Sequence, residues 1–120
     1  MRIRNLRDTV SRSIFIVMAL PTFSIAQSGP DTGRQLVLEA RKANCVDCHQ
    51  FPNDSRVETR ATVGPALSGI RARFTSRIAL TNLVKDPMGV NPNTIMPPYG
   101  RHRILTEREI DAIVDYLYTQ

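Results

Sequence analysis

The sequence predicts an all-α fold in one small domain. Three stretches carry helical signals, and no stretch alternates apolar and polar residues in the way that a half-buried strand does. The chain is also short, with 120 residues, of which the first part has the features of a targeting segment. We take that segment first because it determines the length of the folded domain.

Residues 1–26 have the pattern of a cleaved secretory signal peptide. Residues 1–12 contain four arginines and one aspartate, and the apolar run of residues 14–20 follows them. That run is too short to cross a bilayer as a helix. Ser24 and Ala26 then place small side chains where a signal peptidase cleaves. We therefore expect cleavage after Ala26 and export to the periplasm; a retained membrane anchor and a buried amphipathic helix are the alternatives.

The expected mature chain is residues 27–120. Removing 26 of the 120 residues leaves 94, which suits one domain near the small end of what buries a self-sufficient core. The formal charge of +5 falls to +2 because four arginines and one aspartate leave with the first segment. Neither a lysine-rich tract nor a basic stripe with interleaved aromatics is present, so nucleic-acid binding is not supported.

The stretch NCVDCH, residues 44–49, contains both cysteines of the chain and one of its two histidines. A disulfide between Cys45 and Cys48 would close too small a loop to constrain the unfolded chain. A redox-active CxxC remains open, as does a zinc site with His49, which would need a fourth ligand such as His102 or a carboxylate. The more specific interpretation is a c-type heme, with two cysteine thioethers and the histidine as proximal iron ligand. One covalent heme would also add apolar surface to a small core.

The first helix is predicted over residues 33–43. Thr32 and Gln35 resemble a capping box. Three apolar residues recur at helical spacing: Leu36, Ala40 and Ala43. Such a helix would lead directly into the heme-attachment turn. Residues 50–62 show no clear period and are predicted to form a loop.

Two further helices are predicted in the second half of the chain. Ser76 offers a cap for a short helix that runs to about Lys85, where an Asp-Pro pair stops it. Residues 88–100 are interrupted by prolines and glycines and cannot form a regular element. The last helix begins at a capping box formed by Thr106 and Glu109. Its apolar residues follow helical spacing: Ile110, Ile113, Val114 and Leu117.

A heme iron bound by a histidine needs a second axial ligand, and three residues are candidates: Met88, Met96 and His102. We favour Met96, because Pro97 and Pro98 restrict the backbone directly after it, which suits a loop that holds a weak thioether ligand on iron. The alternatives are that Met96 only fills the core, that Met88 is the ligand, or that His102 gives a bis-histidine heme.

Three pieces of the sequence resemble the SoxX family, the small heme subunits of bacterial thiosulfate-oxidising SoxAX complexes. The pieces are NCVDCHQFPND, VGPALSGIRARF and NPNTIMPPYGRHRILTEREIDAIVDYLYT. They cover most of residues 27–120, and the last is the most specific. The resemblance implies a small single-domain cytochrome c fold around one covalently attached heme, with the terminal helices crossing beside it. It also implies that Pro65 offers its carbonyl to the proximal His49; an ordinary Gly-Pro turn is the alternative.

The resemblance further implies an exported heterodimer that oxidatively couples thiosulfate to a cysteine on a carrier protein, an L-cysteine S-thiosulfotransferase. In that family the chemical step occurs at a cysteine-ligated heme of the larger, SoxA-like subunit. Here Cys45 and Cys48 would both be consumed by heme, which leaves no thiol for sulfur chemistry. We therefore expect an electron-relay subunit without catalytic residues, which accepts electrons from the larger subunit and passes them to a soluble cytochrome c.

A free-standing monoheme electron shuttle is the alternative function. A shuttle usually surrounds its heme edge with charges of one sign, whereas an obligate subunit should present an apolar patch there. The candidate patch comprises Met88, Val90, Ile95, Pro97, Pro98 and Tyr99. Four arginines would pair with heme propionates or with a partner, or else form a solvated face: Arg71, Arg73, Arg101 and Arg103.

Overall fold

The computed structural model describes residues 29–120. This part of the chain contains four α-helices, α1 (Pro30–Leu38), α2 (Ile70–Arg73), α3 (Arg77–Lys85) and α4 (Glu107–Leu117), and two short 3-10 helices at Cys45–Asp47 and Pro87–Gly89. No strand occurs among these residues, in agreement with the all-α prediction. The predicted signal peptide lies outside the described residues. Within residues 29–120, none of the helices has the length and apolar character needed to span a membrane.

Helix α1 begins and ends earlier than the sequence pattern predicts. Pro30 is its first residue, where the fixed φ and the missing N–H of proline suit a helix start, and the preceding Gly29 makes no side-chain cap. The prediction of a capping box at Thr32 is wrong, because Thr32 lies inside the first turn. After Leu38 the chain turns, and Asn44 adopts a left-handed conformation with φ 43°. Residues 39–43 are therefore a connection, not a helical continuation.

Helices α1 and α4 cross at close range. A Cβ on Gly33 would lie 2.0 Å from the carbonyl oxygen of Ala112 and 2.7 Å from Cβ of Tyr116. Only glycine allows the two backbones to approach this closely. Val37 of α1 and Ile110 of α4 are fully buried beside this crossing. The crossing joins the two ends of the described chain into one core.

The capping box of α4 is confirmed. The hydroxyl of Thr106 accepts a hydrogen bond from the backbone N–H of Glu109 at 3.3 Å, and the carboxylate of Glu109 accepts one from the backbone N–H of Thr106 at 2.8 Å. All four apolar residues predicted to share one face are buried: Ile110, Ile113, Val114 and Leu117. Burial of this face, more than helix propensity, stabilises α4.

Helix α3 also agrees with its prediction. The hydroxyl of Ser76 accepts a hydrogen bond from the backbone N–H of Ala79 at 3.4 Å, and the helix ends at Lys85. Leu80 faces the core, and Arg77 reaches Asp115 of α4 at 2.6 Å. The short α2, by contrast, was not predicted, because four residues are too few to show a helical period.

The predicted loop of residues 50–62 has no regular structure but is anchored by a buried carboxylate. Asp54, only 6% exposed, accepts two hydrogen bonds from the Arg56 guanidinium, both at 2.8 Å, and one from the Tyr116 hydroxyl at 3.2 Å. The ring of Phe51 stacks on the ring of Tyr116 with their centroids 5.8 Å apart. The hydrogen bonds from Arg56 hold the pKa of the Asp54 carboxyl well below its usual range. The loop is thereby joined to α4.

Candidate functional site

A cavity of about 570 Å³ lies between the CxxCH segment, helices α2 and α3, and the irregular chain that follows α3. This volume is within the usual range for small-molecule and cofactor sites. Its apolar wall includes Leu67, Ile70, Phe74, Leu80, Leu83 and Leu117. The wall therefore offers mainly apolar contacts to an inserted group.

The CxxCH segment forms one wall of this cavity. Its 3-10 helix, Cys45–Asp47, begins directly after the left-handed Asn44, whose amide donates a hydrogen bond to the Asp47 carboxylate at 2.5 Å. The carbonyl of Cys45 accepts hydrogen bonds from the backbone N–H groups of Cys48 at 3.2 Å and His49 at 2.9 Å. Both cysteines and the histidine consequently line the cavity from one compact turn.

His49 is held from the side of the loop that carries Pro65. Nδ1 of His49 lies 2.7 Å from the carbonyl oxygen of Pro65. Because a carbonyl only accepts hydrogen bonds, this contact requires the proton on Nδ1 and leaves the lone pair of Nε2 available to a metal. The structure thus brings together the two residues that the resemblance paired, with the atoms needed for that contact.

Gly64 supports the same imidazole ring and was not singled out from the sequence. A Cβ at Gly64 would lie 2.4 Å from Cε1, 2.7 Å from Nδ1 and 2.8 Å from Nε2 of His49. The backbone N–H of Gly64 donates to the carbonyl of Cys48 at 2.7 Å. The glycine backbone therefore lies against the ring itself. Its position directly before Pro65 was the available signal, but only the packing shows that the ring needs the space.

The three candidates for a second axial ligand lie in different places. Met96 is partly buried, packs against the core and lines the cavity. Met88 is 40% exposed, and His102 is exposed; neither belongs to the cavity wall. Among these three, the geometry favours Met96, the one that lines the same cavity as the CxxCH side chains.

The two other interpretations of the cysteine pair receive no support from the geometry. Burial raises the pKa of the Cys45 thiol to about 12, whereas a redox-active cysteine requires a lowered pKa. A structural zinc site needs four ligands, and within residues 29–120 no three or more His, Cys, Asp or Glu side chains converge as a metal site.

The rim of the cavity is partly apolar and exposed. Val63 is 61% exposed, Ile95 is 81% exposed, and Ile104 joins them at the mouth. Of the six residues in the predicted apolar patch, Pro98 and Tyr99 are buried and so do not contribute to the surface, and Tyr99 lines the cavity. Of the four arginines considered for propionate pairing, Arg73 lines the cavity and donates to the carbonyl of Ala66 at 3.1 Å.

These residues fit a covalently attached heme. The fit rests on an apolar cavity of suitable volume, two cysteines on one wall, and a histidine whose Nδ1 contacts the carbonyl of Pro65 and whose ring packs on the backbone of Gly64. Cys45 and Cys48 would hold the group by thioethers, and His49 and Met96 would bind its iron. Heme c, when bound, supplies a one-electron couple between ferric and ferrous iron. The chain's own contribution is to exclude water, fix the ring and restrict the methionine loop.

Comparison with known proteins agrees with this geometry. Among solved structures, a chain of the crystal structure of SoxXA from P. pantotrophus matches with a TM-score of 0.67 and 25% sequence identity, over 77% of this chain and 81% of that chain. No curated protein matches the sequence significantly. The model of the cytochrome c family matches residues 31–120, which are 90 of the 120 residues. The chain therefore belongs to the cytochrome c family, with covalent heme c as its cofactor, and is a monoheme cytochrome similar to SoxX.

Proposed function

We propose that this chain is the electron-relay subunit of a periplasmic SoxAX-type complex, an L-cysteine S-thiosulfotransferase that couples thiosulfate to a cysteine of a carrier protein. The observation that carries the proposal is the cavity in which the CxxCH segment, Pro65 and Met96 meet, on a chain that resembles SoxXA. A site of this kind moves single electrons. It offers no group that reacts with sulfur.

The division of labour follows from the cysteines. The chain has two, and the site uses both as heme tethers, so no thiol or persulfide remains for a covalent sulfur intermediate. The chain accordingly has no catalytic residue for sulfur chemistry. It accepts electrons from the heme of a larger SoxA-like subunit and passes them to a soluble cytochrome c. Contact with the thiosulfate carrier protein is transient.

The exposed apolar rim supports an obligate partner over a free-standing shuttle. Val63 and Ile95 expose most of their surface beside the cavity mouth, where an electron would enter or leave. Burying such residues favours stable association, whereas shuttles depend on charge for fast and reversible encounters. The larger subunit covers this rim in the proposed heterodimer.

The axial ligands are tested on mature chain produced in a host with a c-type heme maturation system. Heme that stays with the denatured protein through acid extraction supports the thioethers at Cys45 and Cys48. In the oxidised protein, Met96→Ala should abolish the sulfur-to-iron absorption band at the red edge of the visible spectrum. Met88→Ala is the matched control and should keep the band. If the band is retained in Met96→Ala and lost in Met88→Ala, the ligand assignment is wrong.

The partner is tested by purifying the native complex from the periplasm with a tag at the C-terminus of this chain. We expect a larger heme subunit to co-purify in equal amount, and thiosulfate to reduce the heme of this chain when the carrier protein is added. The intact mass of the mature chain should start at Gln27. A monomer that thiosulfate cannot reduce, even with the candidate partner and carrier present, identifies a free-standing shuttle instead.

A further inference from the structure

Tyr99 connects the methionine loop to the heme-attachment segment. Its phenol O–H donates to the carbonyl of Ala43 at 2.6 Å, across 56 positions of sequence. Tyr99 is 7% exposed and Ala43 is 2% exposed, and both line the cavity. Ala43 lies two positions before Cys45, and Tyr99 lies three after Met96. The bond therefore joins the two segments that provide ligands to the cofactor.

The remaining hydrogen bonds of this loop do not join those two segments. Within residues 29–120, the other hydrogen bonds formed by residues 91–99 stay inside the loop of residues 87–105: Met96 N–H donates to the Thr94 hydroxyl at 3.2 Å, and the carbonyl of Tyr99 accepts from Ile104 at 2.9 Å. Beyond Tyr99, Gly100 donates to the carbonyl of Lys85 at 3.1 Å, which ties the loop to α3. The tie to the heme-attachment segment is the phenol of Tyr99.

We infer that Tyr99 is a positioning residue for the distal ligand, one that keeps Met96 over the cavity by anchoring its loop to Ala43. The inference rests on the proposed function through the assignment of Met96 as iron ligand. Burial raises the pKa of the Tyr99 phenol, which keeps the donor protonated across the physiological range. Movement of the loop away from the cavity would break the hydrogen bond between Tyr99 and Ala43, so this bond opposes displacement of Met96.

The inference is tested with imidazole, a small ligand that displaces methionine from ferric heme when the loop opens. Imidazole would replace the thioether of Met96 by simple ligand exchange, and the oxidation state of the iron would not change. Tyr99→Phe keeps the ring and removes the donor. We expect the apparent association constant of the Tyr99→Phe protein for imidazole to rise roughly tenfold. A tenfold change corresponds to about 1.4 kcal/mol, which is the size expected for loss of one buried hydrogen bond.

Tyr116→Phe is the matched control. Its hydroxyl is also buried and donates to Asp54 at 3.2 Å, but neither residue lines the cavity. The control should lose global stability on denaturation and bind imidazole like the wild-type protein. An imidazole affinity in Tyr99→Phe that equals that of the wild type overturns the inference while leaving the proposed function intact. An equal rise in both variants overturns it too, because the effect would then be one of global stability.

Two further measurements keep the inference testable, one of the ligand assignment on which it depends and one that does not need the variant. If the wild-type ferric protein lacks the sulfur-to-iron band, the assignment of Met96 fails, and the inference fails with it. If the Tyr99→Phe protein does not accumulate, amide hydrogen exchange in the wild-type protein, measured with and without imidazole, tests the anchoring role instead. Imidazole should then accelerate exchange in the peptide that contains Tyr99 and leave the peptide that contains Tyr116 unchanged. Unchanged exchange in both peptides refutes the anchoring role.

Discussion

Replacing Gly64 by alanine tests how His49, the expected proximal ligand, is held. The new methyl group would lie 2.4 Å from Cε1 of His49, well inside the contact distance of two carbon atoms, and under 3 Å from both ring nitrogens. The imidazole cannot keep its place beside such a group. It must rotate or move away, which breaks the 2.7 Å contact between Nδ1 and the carbonyl of Pro65.

The expected magnitude follows from these two effects. Overpacking a rigid site costs about 1–3 kcal/mol. Loss of the hydrogen bond to Pro65 costs about 1 kcal/mol more. Alanine also lowers the entropy of the unfolded chain, which offsets the loss by about 0.4–1 kcal/mol. We therefore expect Gly64→Ala to lower the free energy of unfolding of the heme protein by roughly 1–4 kcal/mol, a large fraction of the stability of a domain this small.

Gly89→Ala is the control for Gly64→Ala, because a Cβ at Gly89 meets no atom closer than 3.9 Å. The control carries the same entropy gain without the clash. Unfolding of both variants is measured in guanidinium chloride. Far-ultraviolet circular dichroism follows the loss of helix, and heme absorbance follows the loss of the iron ligands. A Gly64→Ala protein with the stability of the control and an unchanged ferric spectrum would refute the packing of the Gly64 backbone against His49.

Three further substitutions test the fold around the site. Gly33→Ala should destabilise the protein by about 3 kcal/mol in thermal unfolding, because its methyl group would meet the carbonyl of Ala112 at 2.0 Å. The control Gly29→Ala, whose Cβ would meet no atom within 4 Å, should have little effect. Equal melting temperatures for the two variants would contradict the close helix crossing. Asp54→Asn should lower the free energy of unfolding at pH 7, and the difference from the wild type should shrink as the pH falls below about 4. The hydrogen bonds from Arg56 and Tyr116 depress the pKa of Asp54 in the folded protein, so its stabilising effect is present above the unfolded-state pKa and is lost as the folded carboxylate is protonated. An equal difference between the two proteins at pH 3 and pH 7 would contradict this account. Thr106→Ala should cost about 1 kcal/mol in urea unfolding through loss of the α4 capping box, and Arg108→Ala, on the exposed side of the same turn, should be nearly neutral.

Local chemistry explains what could be predicted from the sequence. The cap residues of α3 and α4 each accept from the backbone N–H group three positions along the chain, so the pattern of a few neighbouring residues determines where each helix begins. The buried face of α4 repeats with the helical period and is visible in the same way. The CxxCH spacing also indicates its cofactor without any knowledge of the fold.

The start of α1 was predicted wrongly from its local pattern, and the support of the expected iron ligands depends on distant parts of the chain. Pro30 and Gly29 begin α1, and the capping signal at Thr32 misled because its spacing alone does not show whether an earlier residue starts the helix. Likewise, nothing in the neighbourhood of Tyr99 indicates that its hydroxyl reaches Ala43, because that contact exists only after the chain has folded around the cavity.

By itself, then, the sequence determined the identity of the cofactor, the cysteines expected to bind it and the helices with local caps, because each of these depends on residues a few positions apart. The tertiary structure decided which of three possible second ligands faces the cavity, and that Gly64 rather than a side chain supports His49. It also decided that Asp54 is buried and paired with Arg56, and is not an exposed charge on a surface loop. These properties depend on which segments pack against one another, and spacing along the chain carries no information about that packing.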